Sequence, residues 1–397
     1  MNIVSDYPIT NTTVFLRCDL NVPIKDGQIL DKSRITASLE TIKYLIKSGA
    51  KVVITSHLGR PKGERNAEMS LLQICKELEK ILDKKITFID EIKSEASVTL
   101  VQSAKQDSIF MLENLRFYPE EEAGDDNFAQ ILANYGTVYV NDAFACSHRK
   151  HASIYQITKY MPSFAGLNLA KEIEQIEKTL DSSKRTLCII GGSKISSKLK
   201  LVNSMIKRCE KIFIAGGMAN TFFAAKGFNV GLSLCEQDMI DEVKQIVSNA
   251  ENSKCQLILP LDVVVSKSFQ IPLNCRALDL EKTESDDYIL DCGTRSLSNI
   301  DQLISQSENV IWNGPLGLNE VRPFNIGSEF VARSIGYYTS IGKIKSIVGG
   351  GDAVSCLNAA GVGGQISFVS TAGGAFLEYL EEMSLIGLEP LKVKIER

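Results

Sequence analysis

Apolar residues recur along this chain with two alternating periods, one typical of amphipathic helices and the other of buried strands. Gly49 follows one helical stretch as a stop signal, and the apolar run at 51–55 begins the next strand. Two further helical stretches precede the apolar runs that begin at Ile212 and Cys255. The three helical faces are formed by Ile35, Leu39, Ile42, Leu45 and Ile46, by Leu199, Val202, Ile206 and Cys209, and by Ile240, Val243 and Val247. Strands that alternate with helices predict a doubly wound α/β fold.

The length of the chain, 397 residues, exceeds that of one ordinary hydrophobic core and predicts two domains. The segment from Pro162 to Gly166 is the expected break between them. A charged helical pattern at 171–180 follows this break, and we expect that helix to link the two domains.

Glycines follow three apolar runs in the second half of the chain, at Gly191–Gly192, Gly216–Gly217 and Gly349–Gly351. Each run is expected to lead through its glycines into a helix. Because glycine has no Cβ, an anion can approach the main chain there and meet free N–H groups at the positive end of the helix dipole. Any one of these turns is explained equally well by ordinary turn chemistry. Lys194 and Lys198 after the first turn, with Asp352 after the third, favour a metal–nucleotide site.

Four apolar runs in the first half of the chain end in polar segments that contain arginine or histidine. These segments are 17–23, 56–61, 113–117 and 141–151. In a parallel sheet all strands have their carboxyl ends at one edge, so we expect these segments to converge into one basic rim. Six arginines precede Pro162, and all except Arg65 lie in these segments or at the helix start Ser33–Arg34.

The overall charge is nearly balanced, with 44 Lys and Arg against 48 Asp and Glu, a net charge of −4 and a pI of about 5.7. No broad basic surface is therefore expected to bind nucleic acid or an anionic membrane. The longest apolar runs are strand-sized and the N-terminus lacks a signal-peptide pattern, so we expect a cytoplasmic protein. Ten cysteines without a Cys-x-x-Cys pair are typical of free thiols in a reducing compartment.

Nine motifs of the chain occur in the order that one enzyme family shows. They are Arg17-Cys-Asp-Leu-Asn-Val-Pro23, Ser56-His-Leu-Gly-Arg-Pro61, Glu113-Asn-Leu-Arg-Phe117, Asn141-Asp-Ala-Phe144, Gly191-Gly-Ser-Lys194, Leu259-Pro-Leu-Asp262, Trp312-Asn-Gly-Pro315, Gly349-Gly-Gly-Asp352 and Ser370-Thr-Ala-Gly-Gly374. In these motifs the chain resembles the phosphoglycerate kinase family, from residue 17 to its final helix. The resemblance implies reversible transfer of the acyl phosphate of 1,3-bisphosphoglycerate to Mg-ADP, which gives 3-phosphoglycerate and ATP in glycolysis and gluconeogenesis.

The resemblance also implies two Rossmann-like domains, each with a central parallel sheet, joined by a hinge and an interdomain helix. Residues 1–168 would bind 3-phosphoglycerate, with the C-terminal tail 375–397 returning to this domain. Residues 169–374 would bind ADP or ATP with Mg²⁺. The reaction would take place in the cleft between the domains of a monomer.

The resemblance assigns residues to three roles. The substrate-binding residues would be Asp19, Leu20, Asn21, Arg34, His57, Leu58, Gly59, Arg60, Arg116 and Arg149. The nucleotide-binding residues would be Lys198, Gly293, Glu320, Gly350, Gly351, Asp352 and Ala353, with Asp352 also reaching the magnesium ion. The catalytic residues would be Arg34, Lys194, Gly351 and Gly373, the last through its amide or that of Gly374.

The implied reaction needs no general base, because the carboxylate of the acid and the terminal phosphate of ADP are already ionised at neutral pH. Positioning and charge stabilisation remain, and we expect Lys194 to face the moving phosphoryl group. His57 is interpreted as a hydrogen-bond donor to the substrate. His148 and His151 have the spacing of metal ligands but are interpreted as structural. Because acyl phosphates hydrolyse, we expect transfer to follow domain closure about hinges at 162–172 and 370–374.

Four positions depart from the usual pattern of the family: Ala353 replaces a threonine or serine, Ser197 an aspartate, Ala372 a glycine, and Thr294 the proline of a Gly-Pro pair. The missing hydroxyl at Ala353 removes a possible phosphate donor, which can cost about 10²-fold where such a donor is critical. We expect a partial loss at most, and we expect Ala353→Thr to raise turnover or tighten nucleotide binding.

Two other kinds of function stay open at this stage. A dinucleotide-dependent dehydrogenase would share the fold class, but no Gly-x-Gly-x-x-Gly opens the first helix, and no Gly-x4-Gly-Lys-Ser/Thr loop supports a P-loop enzyme. A non-catalytic sensor of nucleotide or phospho-acid is the alternative that the four departures keep open. An assay of ATP formation with Lys194→Ala as the control separates the sensor from the kinase.

Overall fold

The computed structural model describes residues 1–180 and 184–393, and the chain forms two compact units. The first unit contains Met1–Glu174 and the tail from Ser384, and the second contains Gln175–Met383. Both divisions fall a few residues later in the chain than the expected domain boundaries after residues 168 and 374, which stay predictions. No helix among the described residues is long and apolar enough to cross a membrane.

The first unit is built on a parallel sheet. The strands among its described residues are β1 (Thr13–Cys18), β2 (Ile24–Lys25), β3 (Gln28–Ile29), β4 (Lys51–Thr55), β5 (Ile86–Ile89), β6 (Ile109–Leu112), β7 (Val138–Asp142) and β8 (Ser163–Ala165). Six of them form the sheet in the order β5-β6-β4-β1-β7-β8, while β2 and β3 pair as a separate hairpin. All pairs of the six-stranded sheet are parallel. Their near-continuous apolar sequences suit a parallel sheet that is covered on both faces.

Helices connect these strands and cover the sheet. They are α1 (Ser33–Lys47), α2 (Leu72–Leu82), α3 (Glu95–Ser103), α4 (Pro119–Ala123), α5 (Asp126–Ala133) and α6 (Leu167–Thr179). The predicted face of α1 is confirmed, since Ile35, Ile42 and Leu45 are fully buried. Gly49 adopts a φ of +75°, in the left-handed region that glycine enters without a Cβ penalty, and so ends this segment as predicted.

The core of the first unit has two layers, because successive side chains of a strand point to opposite faces of the sheet. In β1, Val14 and Leu16 pack in one layer with residues of α1 and α2. Phe15 lies between them in sequence and packs in the other layer with Phe128 of α5. The sheet is thereby buried on both sides, and its functional groups are left at the ends of the strands.

The second unit contains a second parallel sheet and a smaller antiparallel one. Its described strands are β9 (Thr186–Ile190), β10 (Lys211–Ile214), β11 (Gln256–Ile258), β12 (Asp262–Ser266), β13 (Arg276–Asp279), β14 (Tyr288–Cys292), β15 (Asn309–Asn313), β16 (Lys345–Gly349) and β17 (Phe368–Ser370). The parallel sheet has the order β11-β10-β9-β15-β16-β17, and the antiparallel sheet has the order β13-β12-β14. Two doubly wound parallel sheets confirm the predicted fold class.

The helices of the second unit follow most of its strands. They are α7 (Leu199–Ile206), α8 (Gly217–Ala225), α9 (Ile240–Asn252), α10 (Thr294–Gln306), α11 (Ile326–Ser340), α12 (Gly351–Ala360) and α13 (Gly374–Glu382). Helices α8 and α12 begin directly after Gly216 and Gly350, whose φ values are +70° and +95°. The prediction that glycines lead straight into a helix is therefore correct for these two turns.

Three sequence-based expectations about elements are wrong. The turn after β9 does not open a helix directly, because α7 begins only at Leu199 and the Lys194 segment is a loop. The expected break at 162–166 contains the edge strand β8, which pairs with β7. Cys209 lies beyond the end of α7 and not on its face. For β8 the reason is the pairing with β7, which a local pattern does not reveal.

Candidate functional site

The four polar segments of the first unit meet at one edge of its sheet, because β6, β4, β1 and β7 are neighbours in the strand order. Hydrogen bonds join these segments to one another. The amide of Leu20 donates to Oγ of Ser56 at 2.9 Å, and the amide of Gly59 donates to Oδ1 of Asn21 at 2.8 Å. The amide of Leu58 donates to Oδ1 of Asn114 at 3.2 Å. The loops therefore support one another and hold their side chains at fixed positions.

Three of the predicted substrate arginines have defined contacts at this edge. Nη1 of Arg34, in the first turn of α1, lies 2.9 Å from the carboxylate of Asp19. Nη1 of Arg116 donates to the carbonyl of Gly59 at 2.8 Å, while its Nε lies 3.3 Å from Oε1 of Glu122. Nε of Arg149 donates to Nε2 of His148 at 3.1 Å. Each guanidinium is thus oriented by a neighbouring group of the same edge.

His57 lies among these positive charges. Burial, followed by the charges of Arg17, Arg116 and Arg34, holds the pKa of His57 well below its usual value of 6.5. Burial also lowers the pKa of Arg116, and Arg17 and Arg149 lower it further. Nη2 of Arg17 lies 3.3 Å from Nδ1 of His57, in keeping with these shifts, and a concentration of positive charge of this kind binds anions.

Arg60 is a predicted substrate arginine for which no hydrogen bond or ion pair with the described residues is found. It is exposed at the end of the segment after β4. Its predicted role stays a prediction.

Arg17 is a residue of this site that the sequence-based assignment missed. It is 1% exposed, and its Nε donates to Oγ of Ser153 at 2.9 Å. Oγ of Ser153 in turn donates to the buried carboxylate of Glu121 at 2.5 Å. The signal was present in the sequence, because an arginine inside an apolar strand requires a buried partner.

Two clusters among the described residues have the spacing of metal ligands. In both, a cationic side chain from outside the cluster already contacts the ligand atoms. The first is Asp19, His57 and Cys146, whose ligand atoms lie within 4.8 Å of one another. Nη2 of Arg17 lies 3.3 Å from Nδ1 of His57 and 3.9 Å from Sγ of Cys146, so a positive charge occupies this place.

The second cluster is Glu284, Asp286 and Asp287. Nζ of Lys267 lies 2.6 Å from Glu284 and 3.0 Å from Asp287, and it also pairs with Asp286. Neither cluster has the character of a metal site. His148 and His151, which the sequence singled out by their spacing, are in neither.

The glycine turns of the second unit meet at the carboxyl edge of its parallel sheet. The amide of Met218 donates to the carbonyl of Gly192 at 3.0 Å, which joins the first turn to the second. A Cβ on Gly216 would lie 2.6 Å from the carbonyl oxygen of Gly192. A Cβ on Gly350 would lie 2.5 Å from Nδ2 of Asn313. Close approach therefore explains these glycines, and residues at the N-termini of α8 and α12 line the same pocket.

A pocket of about 530 Å³ opens beside these turns, within the size range of small-molecule sites. Phe223, Leu234 and Leu316 contribute to its mainly apolar lining. Glu320 and Asp352, two of the predicted nucleotide-binding residues, contribute carboxylates to the lining. An apolar pocket next to helix N-termini suits a flat heterocycle that carries phosphates.

Lys198 is held next to these turns by a residue that the sequence analysis did not assign. Its Nζ donates to Oδ1 of Asn313, whose Nδ2 donates to the carbonyl of Gly349 at 2.6 Å. Burial lowers the pKa of Lys198, while the charge of Asp352 acts in the opposite direction. Asn313 is buried at the end of β15, and its place in the motif Trp312-Asn-Gly-Pro315 was the signal that could have identified it.

The remaining predicted residues of the second unit occupy different surroundings. Ala353 is fully buried in the core with Cys356 and Leu357. Gly293 packs against the carboxylate of Asp262, since a Cβ there would lie 2.3 Å from it. Lys194 is exposed in the loop before α7, where its carbonyl accepts a hydrogen bond from Ser197 at 2.8 Å.

Gly373, the last of the predicted catalytic residues, precedes α13. It has a φ of +54° and leaves the first turn of that helix open. The catalytic role predicted for the amide of Gly373 stays a prediction.

Comparison with known proteins gives one consistent result. The family model for phosphoglycerate kinase matches residues 4–383. The chain is 41% identical over 390 residues to phosphoglycerate kinase of Bartonella quintana, and the matched region covers 98% of each chain. It is 42% identical over 386 residues to phosphoglycerate kinase of Maricaulis maris, with 97% of this chain and 96% of the relative covered.

Solved structures agree with the sequence comparison. The phosphoglycerate kinase of Coxiella burnetii superposes with a TM-score of 0.88 at 32% identity, covering 98% of this chain and 97% of that one. The enzyme of Pyrococcus horikoshii superposes with a TM-score of 0.76 at 29% identity, covering 99% and 98% of the two chains.

Proposed function

The chain belongs to the phosphoglycerate kinase family and is therefore a phosphotransferase, and we propose that each of its two anion sites binds one of the two substrates. The first unit binds 3-phosphoglycerate or 1,3-bisphosphoglycerate, and the second binds ADP or ATP. The observation that carries this proposal is the cluster of guanidinium groups around neutral His57, in which positive charges outnumber carboxylates.

The acid is held by charge-assisted hydrogen bonds in the first unit. Arg34, Arg116 and Arg149 supply guanidinium forks, which match the geometry of carboxylate and phosphate oxygens better than single ammonium groups. The ring of His57 donates a hydrogen bond to the acid. The side-chain oxygen of Asn21 accepts a hydrogen bond from the amide of Gly59 and so supports this loop. Asp19 orients Arg34 and neutralises part of its charge. Arg60, exposed at the rim, is assigned to the same acid.

The nucleotide is held by three features of the second unit. Its base lies in the apolar pocket, and its phosphates lie against the N-termini of α8 and α12, where free amides and the helix dipole favour negative charge. Lys198 adds a cation that Asn313 holds in position. Glu320 at the pocket is assigned to the ribose.

Magnesium fits the residues present at this site. Asp352 is exposed in the first turn of α12 and lines the pocket. Mg²⁺ prefers hard oxygen ligands and is usually held by one or two carboxylates together with substrate phosphates. Asp352 is therefore the residue assigned to the ion, which neutralises phosphate charge when bound.

The reaction proceeds without a general base, since both nucleophiles are already ionised. Negative charge that develops on the moving phosphoryl group is stabilised by Arg34, by the exposed ammonium of Lys194, and by the amides of Gly351 and Gly373. Exclusion of water through hinge closure belongs to the same proposal, because water competes as an acceptor of the acyl phosphate.

We further propose a monomeric cytoplasmic enzyme that binds no nucleic acid. The net charge of −4 supports the absence of nucleic-acid binding, the ten free thiols support the cytoplasmic location, and the monomer rests on the likeness to the family.

Two single substitutions test the assignment of one substrate to each unit. Arg149→Met should raise KM for 3-phosphoglycerate by about 10-fold, the typical effect of losing a charge-assisted hydrogen bond, and leave KM for ATP unchanged. Lys198→Met should have the reverse effect. Equal effects of either variant on both KM values would contradict the proposal, and an inactive wild-type protein in the coupled assay would favour the sensor instead.

A further inference from the structure

The ring of His57 receives a hydrogen bond from Arg17 that fixes the position of its proton. Nη2 of Arg17 lies 3.3 Å from Nδ1 of His57. A guanidinium has N–H donors and no acceptor, so Nδ1 must accept this hydrogen bond and cannot carry a proton. A neutral imidazole then holds its single proton on the other nitrogen, Nε2.

The guanidinium of Arg17 is held from its other sides as well. Its Nε donates to Oγ of Ser153 at 2.9 Å, and its Nη1 donates to the carbonyl of Cys18 at 2.5 Å. Ser153 binds both carboxylate oxygens of Glu121, with its amide at 2.9 Å and its Oγ at 2.5 Å. Arg17, Ser153 and Glu121 are at most 1% exposed. The buried carboxylate compensates the charge of Arg17, and the fork cannot turn away from His57.

Protonation of His57 on both nitrogens is opposed by its surroundings. The ring is 4% exposed, and burial, followed by the charges of Arg17, Arg116 and Arg34, lowers its pKa. Sγ of Cys146 lies 3.8 Å from Nδ1, and the carboxylate of Asp19 lies within 4.8 Å of a ring nitrogen but is paired with Arg34 at 2.9 Å. His57 therefore stays neutral at physiological pH.

The Nε2 atom of His57 is directed away from this network. It makes no hydrogen bond with any described residue, and it is absent from the buried side-chain atoms that lack a partner. Nε2 consequently faces open space at the edge where Arg34, Arg116 and Arg149 gather.

We propose that Arg17 is a positioning residue for the phospho-acid: by donating to Nδ1 it holds His57 as the Nε2–H tautomer, which presents an N–H donor to an oxygen of the acid. The inference rests on the proposed function through the assignment of His57 to this substrate. Without Arg17 the ring can hold its proton on Nδ1 instead, and it then presents a lone pair that repels an anion. Arg17 acts through His57, since its own donors are directed to protein groups.

The first test measures the tautomer in the free wild-type protein. The chain has 3 histidines, so ¹⁵N-histidine labelling and long-range ¹H–¹⁵N correlation spectra, assigned with His148→Gln and His151→Gln, resolve the ring of His57. We expect a protonated Nε2 and an unprotonated Nδ1 at neutral pH. A proton on Nδ1, or an even mixture of tautomers, would overturn the inference while leaving the proposed function intact, because no substrate is present.

The second test measures the consequence for substrate binding in three variants. Arg17→Met should raise KM for 3-phosphoglycerate by about 10-fold or more and leave KM for ATP unchanged. In a His57→Gln background, where the glutamine amide supplies an N–H donor without needing Arg17, the same substitution should change KM by less than about threefold. Equal losses in both backgrounds would overturn the positioning role.

Matched variants keep this comparison decisive. Arg65→Met removes an exposed guanidinium of the same unit, which pairs with Glu91 at 2.7 Å, and should leave both KM values unchanged. Arg17→Lys keeps a positive charge opposite Glu121, and it replaces Arg17→Met in the same cycle if the methionine variant does not fold.

His57→Leu removes the donor altogether. An unchanged KM in that variant, with the tautomer as expected, would overturn the assignment of His57 in the proposed function and the positioning role with it.

Discussion

At the scale of single residues, the site depends on polar side chains whose partners lie far away in the sequence. Arg17 reaches His57 across 40 residues, and Lys198 reaches Asn313 across 115. The half-buried cation of Lys198 is oriented by the neutral amide of Asn313, whereas buried Arg17 orients the neutral ring of His57 and has its charge compensated by the buried carboxylate of Glu121. The chemistry of the site therefore requires these contacts as much as the groups that meet the substrates.

Ala353 provides a test of the departure from the family pattern. The fully buried site favours serine over the larger threonine, and Ala353→Ser restores a hydroxyl in the first turn of α12. We expect nucleotide binding or turnover to improve by about 10-fold if the hydroxyl reaches a phosphate. Steady-state kinetics with ADP measures the effect.

Ala360→Ser is the matched control, since Ala360 lies in the same helix and the same core cluster. Both substitutions should lower the free energy of unfolding by about 1 kcal/mol, the cost of a buried hydroxyl. Identical kinetics in the two variants would show that the hydroxyl is dispensable.

Glu172 predicts a pH dependence of stability. Burial raises the pKa of this carboxyl from 4.5 to about 8, with the charge of Asp142 contributing in the same direction. The folded state therefore keeps a proton that the unfolded chain loses above about pH 4.5. The stability from this group is fully present below that pH and is lost as the pH rises through about 8.

Glu172→Gln removes this dependence, because glutamine cannot ionise. The free energy of unfolding of the variant should increase relative to that of wild type as the pH rises from 5 to 9, which means that the variant becomes relatively more stable; denaturant titration measures it. Glu64→Gln at an exposed position should show no such trend. A constant difference between wild type and Glu172→Gln across this range would contradict the raised pKa.

At the scale of elements, the glycine turns combine tight packing with open helix ends. In the turn before α12, Gly350 has a φ of +95°, and its Cα approaches Asn313 too closely for a Cβ. The same Asn313 orients Lys198. The turn at Gly350 thus determines both where α12 begins and, through Asn313, where the ammonium of Lys198 lies.

Gly350→Ala should disturb both features. We expect loss of nucleotide affinity by about 10-fold or more, because the added Cβ displaces Asn313 and with it Lys198. Calorimetric titration with ATP measures the affinity.

Gly361→Ala is the control at the other end of the same helix. Gly361 also has a positive φ, +72°, but nothing lies within 4 Å of its added Cβ. It should cost about 1 kcal/mol of stability through backbone strain and leave the affinity unchanged. Equal affinities in the two variants would show that the contact with Asn313 does not support binding.

At the scale of the whole molecule, the chain leaves the first unit within α6 and returns to it from Ser384. In the returning tail Leu385, Leu388 and Leu391 are at most 1% exposed. The amide of Gly387 donates to the carbonyl of Ser147 at 2.8 Å, two residues before Arg149. The tail therefore completes the core of the first unit and supports the loop that carries one of its arginines.

Removal of residues 384–397 should affect the two sites differently. The loss of three buried leucines predicts a first unit that is less stable by several kcal/mol. KM for 3-phosphoglycerate should rise while ATP binding to the second unit, measured by calorimetry, stays near that of the full chain. An equal weakening of 3-phosphoglycerate binding and of ATP binding would contradict this division of roles between the two units.

Much of the fold could be predicted from the sequence because its signals are local. The period of α1, the stop at Gly49 and the glycines before α8 and α12 each act through neighbouring residues. Where the local signal was ambiguous the prediction failed: the glycines after β9 lead into a loop, and Ser163–Ala165 form an edge strand because β7 offers a partner. Arg17 and Asn313 escaped the site assignment because their roles depend on partners that no local pattern identifies.

The sequence by itself determined the alternation of strands and helices, the places where glycine must stand, and the motifs that identify the family. Local backbone preferences and side-chain periodicity are properties of adjacent residues, so they can be read along the chain. The tertiary structure alone decided that Arg17 donates to His57, that Asn313 holds Lys198, and that Ala353 lies in the core. Such contacts follow from the order and register of strands, which bring together residues from distant parts of the chain.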